Sequence, residues 1–128
     1  MFQTKTLSNR WFFFPLSPTF IQKMTQMGGF VYLICDAEKE LFKIGVTTGS
    51  VEKRMKELQT GNGGELHVVH IQETDYPFKM EAMLHRKFYP KQKLNEWFTL
   101  ETQDVINFPK HCDRCQEIID ALKDNPFF

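Results

Sequence analysis

Two short apolar segments in the first half of the chain predict a β-hairpin. Residues 30–35 and 41–46 are rich in β-branched and aromatic side chains, and each is about as long as an average strand. The polar run at 36–40 between them supplies a turn. Tyr32 and Lys43 each place a polar group inside one of these apolar segments. Both are therefore candidates for a functional role as well as for a structural one.

The pattern downstream changes to a helical period and then back to a strand period. Val51, Met55 and Leu58 recur at helical spacing and predict a helix, with hydroxyl side chains at 47–50 available for its N-terminal cap. The apolar positions within residues 66–71 predict a third strand.

A second helix is predicted by the apolar stripe Met80, Leu84 and Phe88. Asp75 is the expected N-cap of this helix. Pro77 fits the first turn, because a backbone N–H at that position has no partner within the helix. The chain after it is expected to contain a short buried segment at 97–98. Further short helices are expected around 105–106 and 118–122, and they should cover the other side of the domain.

The pattern predicts one domain, residues 28–123, between an N-terminal extension and a frayed tail at 124–128. Residues 1–27 mix polar residues, prolines and aromatic residues in a pattern that is not repeated later in the chain. This is typical of an extension outside the domain, and disorder is one expectation for it. Translation that begins at Met24 or Met27 is an alternative.

Composition narrows the class of protein. A length of 128 residues suits a single domain, and a charged fraction of 25% argues against a disordered or membrane protein. Sixteen basic residues balance 16 acidic ones, which counts against a strong non-specific affinity for DNA. An odd number of cysteines, 3, fits a reducing compartment, and no segment has the length of a membrane span. An intracellular location without membrane contact is therefore expected, in the host cytoplasm or nucleus if the protein is viral.

Basic residues form two local patches despite the balanced total. Both are candidate DNA-contacting surfaces, and an ordinary solvated face is the alternative. One patch lies on the first predicted helix and the other follows Glu81, and together they contain Lys53, Lys56, Arg86, Lys87, Lys91 and Lys93.

Five ordered elements carry a resemblance to a known family. Residues 31–33 (VYL) and 43–45 (KIG) stand where two signature motifs would be, and Arg54 follows at the expected helical position. Glu81 begins a Glu-x-x-Leu-His run, and the sequence NEWF at 95–98 comes next. In this order the elements resemble the GIY-YIG nuclease superfamily, and most closely its small phage and viral DNA-binding subfamily of the Orf172 type.

The resemblance implies an α+β fold with a small, largely antiparallel three-stranded sheet flanked by helices. It also implies DNA binding with metal-dependent hydrolysis of phosphodiester bonds. In that mechanism Tyr32 activates a water molecule, and Arg54 stabilises the charge on the phosphate. Lys43 would either contact a phosphate oxygen or lower the pKa of Tyr32. Glu81 would bind one Mg²⁺ or Mn²⁺, because hard cations prefer oxygen ligands. Lysine at position 43 departs from the tyrosine usual in the superfamily, although it is common in the phage subfamily.

Three further residues are expected to support this site. His85 lies one helical turn after Glu81 and could orient it, contact phosphate or simply pack. Asn95 lies near the position of a helping asparagine in the superfamily, and Glu96 could anchor a loop or add a carboxylate. Separately, Cys112 and Cys115 form a Cys-x-x-Cys pair that could supply half of a zinc site, with helical core cysteines as the alternative.

Two rival functions belong to other classes. The first is a DNA-binding module that retains the scaffold but does not cleave, and the second is a protein-interaction domain. The presence of Tyr32, Arg54 and Glu81 together favours the enzyme, because a carboxylate facing a polyanion does not help a protein that only binds DNA. The DNA target and the oligomeric state are left open by the sequence.

Overall fold

The structure, a computed structural model, describes residues 28–128. The expectations for residues 1–27, including the alternative starts at Met24 and Met27, lie outside the described residues. The described chain contains, in order, β1 (Gly29–Asp36), β2 (Leu41–Thr47), α1 (Val51–Thr60), β3 (Leu66–Thr74), α2 (Pro77–Lys87), a 3-10 turn (Tyr89–Lys91), β4 (Gln92–Leu94), β5 (Trp97–Phe98), α3 (Thr102–Ile106) and α4 (Phe108–Leu122).

The fold is α+β, but its sheet has five strands in the order β3-β1-β2-β5-β4, all antiparallel. The prediction of a three-stranded sheet is therefore wrong. The hairpin of β4 and β5 extends the sheet beyond β2, where Lys43 pairs with Trp97 and Phe42 with Phe98. Strands of 3 and 2 residues are too short to show an alternating pattern, so the sequence indicated only a buried segment at 97–98.

The two faces of the sheet differ because successive side chains along a strand point to opposite sides. One face carries β1, β2 and β5 residues that pack with α2 and α4 into the hydrophobic core, namely Val31, Leu33, Ile44 and Phe98. Tyr32 and Lys43 alternate with these residues and therefore lie on the other face, on the side of Arg54 in α1.

The helix predictions are largely confirmed. The Ser50 side chain accepts a hydrogen bond from the Lys53 backbone N–H and caps α1. Met80 and Leu84 on α2 are buried as expected, and so is Phe88, which caps the C-terminal end of this helix. The prediction that Asp75 caps α2 is wrong, because Tyr76 occupies the N-cap position and no side chain makes a capping hydrogen bond there. Pro77 at the first position makes such a bond less necessary, since proline has no N–H to satisfy.

The C-terminal helix supplies the last part of the core. Cys112 and Cys115 are buried on the inner side of α4, and burial raises the pKa of the Cys112 thiol to about 12. Beyond this helix the chain turns back, and the Phe128 ring packs edge-on against Tyr76 with 5.5 Å between ring centroids. The segment 124–128, expected to be frayed, therefore contacts the domain. No helix within residues 28–128 is long and apolar enough to cross a membrane.

A buried carboxylate ties the β1–β2 turn to the loop after α1. Asp36 is fully buried, and its two oxygens accept hydrogen bonds from the Lys39 backbone N–H at 3.2 Å and the Asn62 side-chain amide at 2.9 Å. The Gln59 amide group continues the same connection, because it donates to the Gly64 carbonyl and accepts from the Leu66 N–H. These bonds fix where α1 ends and β3 begins.

Acid should weaken this connection. The hydrogen bond from Asn62 is the main cause that lowers the pKa of Asp36 from its ordinary 3.8. The stabilisation is therefore complete above that value and is lost as the pH falls through the folded-state pKa, because the unfolded state then binds the proton more tightly. We expect the free energy of unfolding, measured with urea, to fall less in Asp36→Asn than in wild type when the pH is lowered from about 5 to about 3. Asp113→Asn, at an exposed position on α4, should retain the wild-type loss, and identical profiles for all three proteins would contradict the assignment.

Candidate functional site

The centre of the second sheet face is a tyrosine packed over a glycine. Tyr32 in β1 pairs across the strands with Gly45 in β2, so the two residues share a face. A Cβ atom on Gly45 would lie within 2.6 Å of three atoms of the Tyr32 side chain. The φ of Gly45 is not positive, so the backbone conformation does not require a glycine here. What requires it is the space that the Tyr32 side chain occupies. The missing side chain lets the tyrosine ring lie flat against β2, where it is fully buried.

Arg54 connects this tyrosine to helix α1. The Arg54 Nε donates a hydrogen bond to the Tyr32 hydroxyl at 3.4 Å, and Nη1 lies 3.4 Å from a carboxylate oxygen of Glu57. Glu57 stands three positions later on the same helix, which places it on the same helical face. The guanidinium is thus held between a strand and its own helix.

Burial raises the pKa of Tyr32 to about 12. The hydrogen bond and the positive charge of Arg54 act in the opposite direction, and the carboxylates of Glu96 and Glu81 raise the pKa further. The phenol is therefore neutral at pH 7. The expectation that Lys43 lowers its pKa finds no counterpart, because the cation that acts on the hydroxyl is Arg54. Glu81 and Glu96 thus act on this hydroxyl through their negative charge.

Glu81 reaches the site from α2, beside His85. The His85 Nε2 lies 2.9 Å from the backbone carbonyl oxygen of Ile44. Because a carbonyl only accepts, this nitrogen carries a hydrogen. The same Nε2 is 4.0 Å from the Glu81 carboxylate, and the imidazole also packs edge-on against Phe98. His85 thus anchors α2 to β2 through the Ile44 carbonyl, and its role in orienting Glu81 stays a prediction.

Lys43 is paired with Glu96 and lies over an indole ring. Its ammonium is 2.9 Å from the Glu96 carboxylate and 5.5 Å from the centroid of the Trp97 ring. Both partners belong to the β4–β5 hairpin, and the Glu96 carbonyl accepts a hydrogen bond from the Ile44 N–H at 3.2 Å. The added hairpin therefore completes the site, and Glu96 is more central to it than the sequence indicated.

The structure brings six of the predicted residues together, and these are Tyr32, Lys43, Arg54, Glu81, His85 and Glu96. Asn95 is not among them. It adopts the left-handed backbone conformation, with φ of 54°, and its carbonyl accepts a hydrogen bond from the Gln92 side chain. Asparagine adopts this conformation more readily than most residues do, so Asn95 forms the turn of the hairpin.

The predicted DNA-contacting lysines and arginine divide into two groups. Lys91 is bound by the carboxylates of Asp104 and Glu101, and the Asp104 hydrogen bond raises the pKa of Lys91. Lys87 is exposed as well, but its charge acts on α4, where it lowers the pKa values of His111 and Cys115. The remaining four side chains are exposed and stay candidates for phosphate contact, namely Lys53, Lys56, Arg86 and Lys93.

The donor set at the site suits a hard cation rather than zinc. Glu81 and Glu96 offer carboxylate oxygens near the Tyr32 hydroxyl. Residues 28–128 contain no group of three or more His, Cys, Asp or Glu side chains arranged to hold a metal ion. An ion at Glu81 would therefore take most of its ligands from water, which is common for Mg²⁺.

The fold and site define a small α+β domain with a cluster of paired charges around a buried tyrosine. The chain belongs to the T5orf172 domain family, whose sequence model matches residues 29–115. This family is associated with nuclease-like and DNA-binding domains. The resemblance to Orf172-type domains is thereby confirmed at the level of this family, while membership of the GIY-YIG superfamily stays a prediction. Searches of curated proteins and of solved structures found no match.

Three features of the site were missed by the sequence interpretation. Gly45 was noted only as part of the motif at 43–45, although a glycine within a strand often marks a place where another group packs closely against the backbone. Trp97 was assigned to the core, whereas it partly covers the Lys43 side chain. The Arg54–Glu57 pair could have been found from its helical spacing.

Gly45→Ala should displace the Tyr32 ring and break its bond to Arg54. Because the new methyl group would overlap buried ring atoms, we expect a loss of about 1–3 kcal/mol of unfolding free energy, measured by chemical denaturation. Gly63→Ala is the matched control, since its Cβ would meet no atom within 4 Å. Equal stabilities for the two variants would show that the tyrosine does not depend on this space.

Proposed function

We propose that the domain binds DNA and hydrolyses its phosphodiester bonds with the help of a divalent metal ion, as a member of the GIY-YIG superfamily. The observation that carries the proposal is the hydrogen bond from Arg54 to the Tyr32 hydroxyl, together with the negative charge of Glu81 and Glu96 that acts on the same hydroxyl. These groups come from helix α1, helix α2 and the β4–β5 hairpin. The association of the family with nuclease-like and DNA-binding domains supports the same class of function.

The carboxylates favour hydrolysis over binding alone. Glu81 and Glu96 raise the pKa of Tyr32, so their negative charge acts on the place where a phosphate would meet Arg54. Two carboxylates oppose the approach of a polyanion unless a cation lies between them and the phosphate. A pocket that combines a guanidinium with carboxylates suits a reaction in which both a phosphate and a cation are held.

Tyr32 acts as a hydrogen-bond donor in this proposal. With a pKa of about 12 it keeps its proton at pH 7, so it is a poor general base. The Arg54 Nε donates to its oxygen, which leaves the hydroxyl hydrogen for a water molecule or a phosphate oxygen. Because the ring is buried, a phosphate would first meet the partly exposed side chains of Arg54, Lys43 and Glu81.

Glu81 would hold Mg²⁺ or Mn²⁺, oriented by the neighbouring His85. A bound divalent ion supplies charge neutralisation at the phosphate and at the departing oxygen. Arg54 contributes a fixed guanidinium that binds non-bridging oxygens, and its bond to Tyr32 keeps it aligned before the substrate arrives. Lys43 contributes a second positive charge. Its attraction for a phosphate is reduced by its ion pair with Glu96.

A non-cleaving DNA-binding module is the second candidate. The burial of Tyr32 favours it, since a sealed phenol reaches a substrate only if its neighbours move. In that case Lys43, Arg54 and the exposed basic side chains would serve phosphate contact alone.

Glu81→Gln separates the two candidates. The variant keeps the size of the side chain but removes the charge that would hold a cation, so we expect Mg²⁺-dependent nicking of plasmid DNA to fall by at least ~100-fold. DNA affinity in the absence of metal should stay the same or rise, because a repulsive charge is lost. The measurement is gel-based nicking of plasmid and branched DNA with and without Mg²⁺ or Mn²⁺.

Glu117→Gln on α4 is the control for that experiment, because this glutamate is exposed and pairs with Arg114 away from the site. It should nick at the wild-type rate. Salt-sensitive binding without nicking by the wild-type protein would favour the non-cleaving module. Equal nicking by wild type and Glu81→Gln would remove Glu81 from the mechanism.

The Lys43–Glu96 pair predicts opposite effects for its two members. Lys43→Met should lower DNA affinity and reduce the slope of log K against log salt by about one unit, as expected for one lost phosphate contact. Glu96→Gln releases the ammonium and should raise affinity by about fivefold, or roughly 1 kcal/mol. Fluorescence anisotropy across a salt series measures both effects. Unchanged affinity and unchanged cleavage in Lys43→Met would show that this lysine serves the fold alone.

A further inference from the structure

The β4–β5 hairpin presents an apolar tip next to the proposed DNA site. Leu94 is 64% exposed, and it pairs across the strands with Trp97, which pairs in turn with Lys43. Directly paired residues share a face, so these three side chains form a row across the sheet. Gly45, two positions after Lys43, places the neighbouring Tyr32 on the same face. The row therefore runs from the site to the edge of the sheet.

The hairpin is held in place by bonds at both ends. The Thr99 N–H donates to the Lys91 carbonyl at 2.8 Å, and Lys91 itself is bound to Asp104 on α3. The Gln92 side chain closes the turn by donating to the Asn95 carbonyl. Leu94 is thus exposed on a fixed frame and is paired with Trp97, so the two side chains form one apolar surface that is open to a ligand.

The surroundings of Leu94 point to a nucleobase as that ligand. Lys93 beside it is exposed, and the Lys43 ammonium, which is paired with Glu96, lies over the neighbouring Trp97 ring, so two cations adjoin the apolar tip. An aromatic face next to cations is the combination that stacks bases while neighbouring groups hold the backbone. Two side chains offer far less area than the ~800 Å² per partner of a stable protein interface.

We propose that Leu94 and Trp97 form a stacking platform for an unpaired base, so that the domain takes DNA with unstacked bases in preference to continuous duplex. The inference rests on the proposed function, since it needs DNA on this face. Two strand spacings separate Leu94 from Lys43, about 10 Å. That distance equals about three base steps of B-DNA, so a phosphate at Lys43 and a base at Leu94 can belong to one strand. Bulged, branched or single-stranded DNA offers such a base without the cost of unstacking it.

The test compares binding of a bulged duplex, a single strand and a matched continuous duplex by the full chain. The chain has 2 tryptophans, Trp11 and Trp97, so a Trp11→Phe background leaves Trp97 as the fluorescent reporter. Bulged and single-stranded DNA should quench its fluorescence. Leu94→Ser should weaken binding of these two ligands by at least ~5-fold, while affinity for the continuous duplex changes by less than about twofold. Leu94→Met should retain wild-type binding.

Ile106→Ser is the matched control. Ile106 is 63% exposed, and it lies on α3, which packs against α4 on the core side of the sheet. It should leave all affinities unchanged, and thermal melting should show that each variant folds. Equal losses for bulged and continuous DNA in Leu94→Ser would overturn the platform while leaving DNA binding intact. Absence of binding to any DNA by the wild type would overturn the proposed function as well. A dimer lost in Leu94→Ser, seen by sedimentation, would assign the leucine to a protein partner instead.

Discussion

The packing of the Tyr32 ring against the backbone at Gly45 is the contact on which the site depends. It exists because one strand carries a large aromatic ring at the position where its neighbour carries no side chain. The ring fills the space, and its hydroxyl then receives the Arg54 hydrogen bond. Through that bond a helix with no buried residue of its own is aligned on the sheet. A packing constraint inside a hairpin thus determines where a guanidinium lies.

Charges of both signs surround this tyrosine, and they explain how a chain with no net charge can carry a phosphate site. Lys43 faces Glu96, and Arg54 faces Glu57, so each cation has a carboxylate within 3.4 Å or less. Such pairing keeps the charges of partly buried side chains satisfied in the absence of substrate. The local arrangement of charge is therefore a better guide to a phosphate site than the net charge, which is zero because 16 basic residues balance 16 acidic ones.

The hairpin of β1 and β2, the helix α1 and the apolar stripe of α2 could be predicted because each repeats a clear period over enough residues. The β4–β5 hairpin could not, since its strands are short and Leu94 is exposed. The direction of the pKa shift of Tyr32 was also beyond the sequence. It depends on burial by elements that are distant along the chain, and no local pattern reports how completely they cover the ring.

The shortness of β5 has a consequence for the geometry of the whole pocket. The last backbone bond between β2 and the hairpin joins the Ile44 N–H to Glu96, and the Ile44 carbonyl is left for the His85 imidazole. A longer β5 would compete for that oxygen and push α2 outward, together with the carboxylate of Glu81. The length of this two-residue strand therefore sets how far Glu81 on α2 stands from the tyrosine. Insertions at the turn of the hairpin, next to Glu96, are consequently constrained.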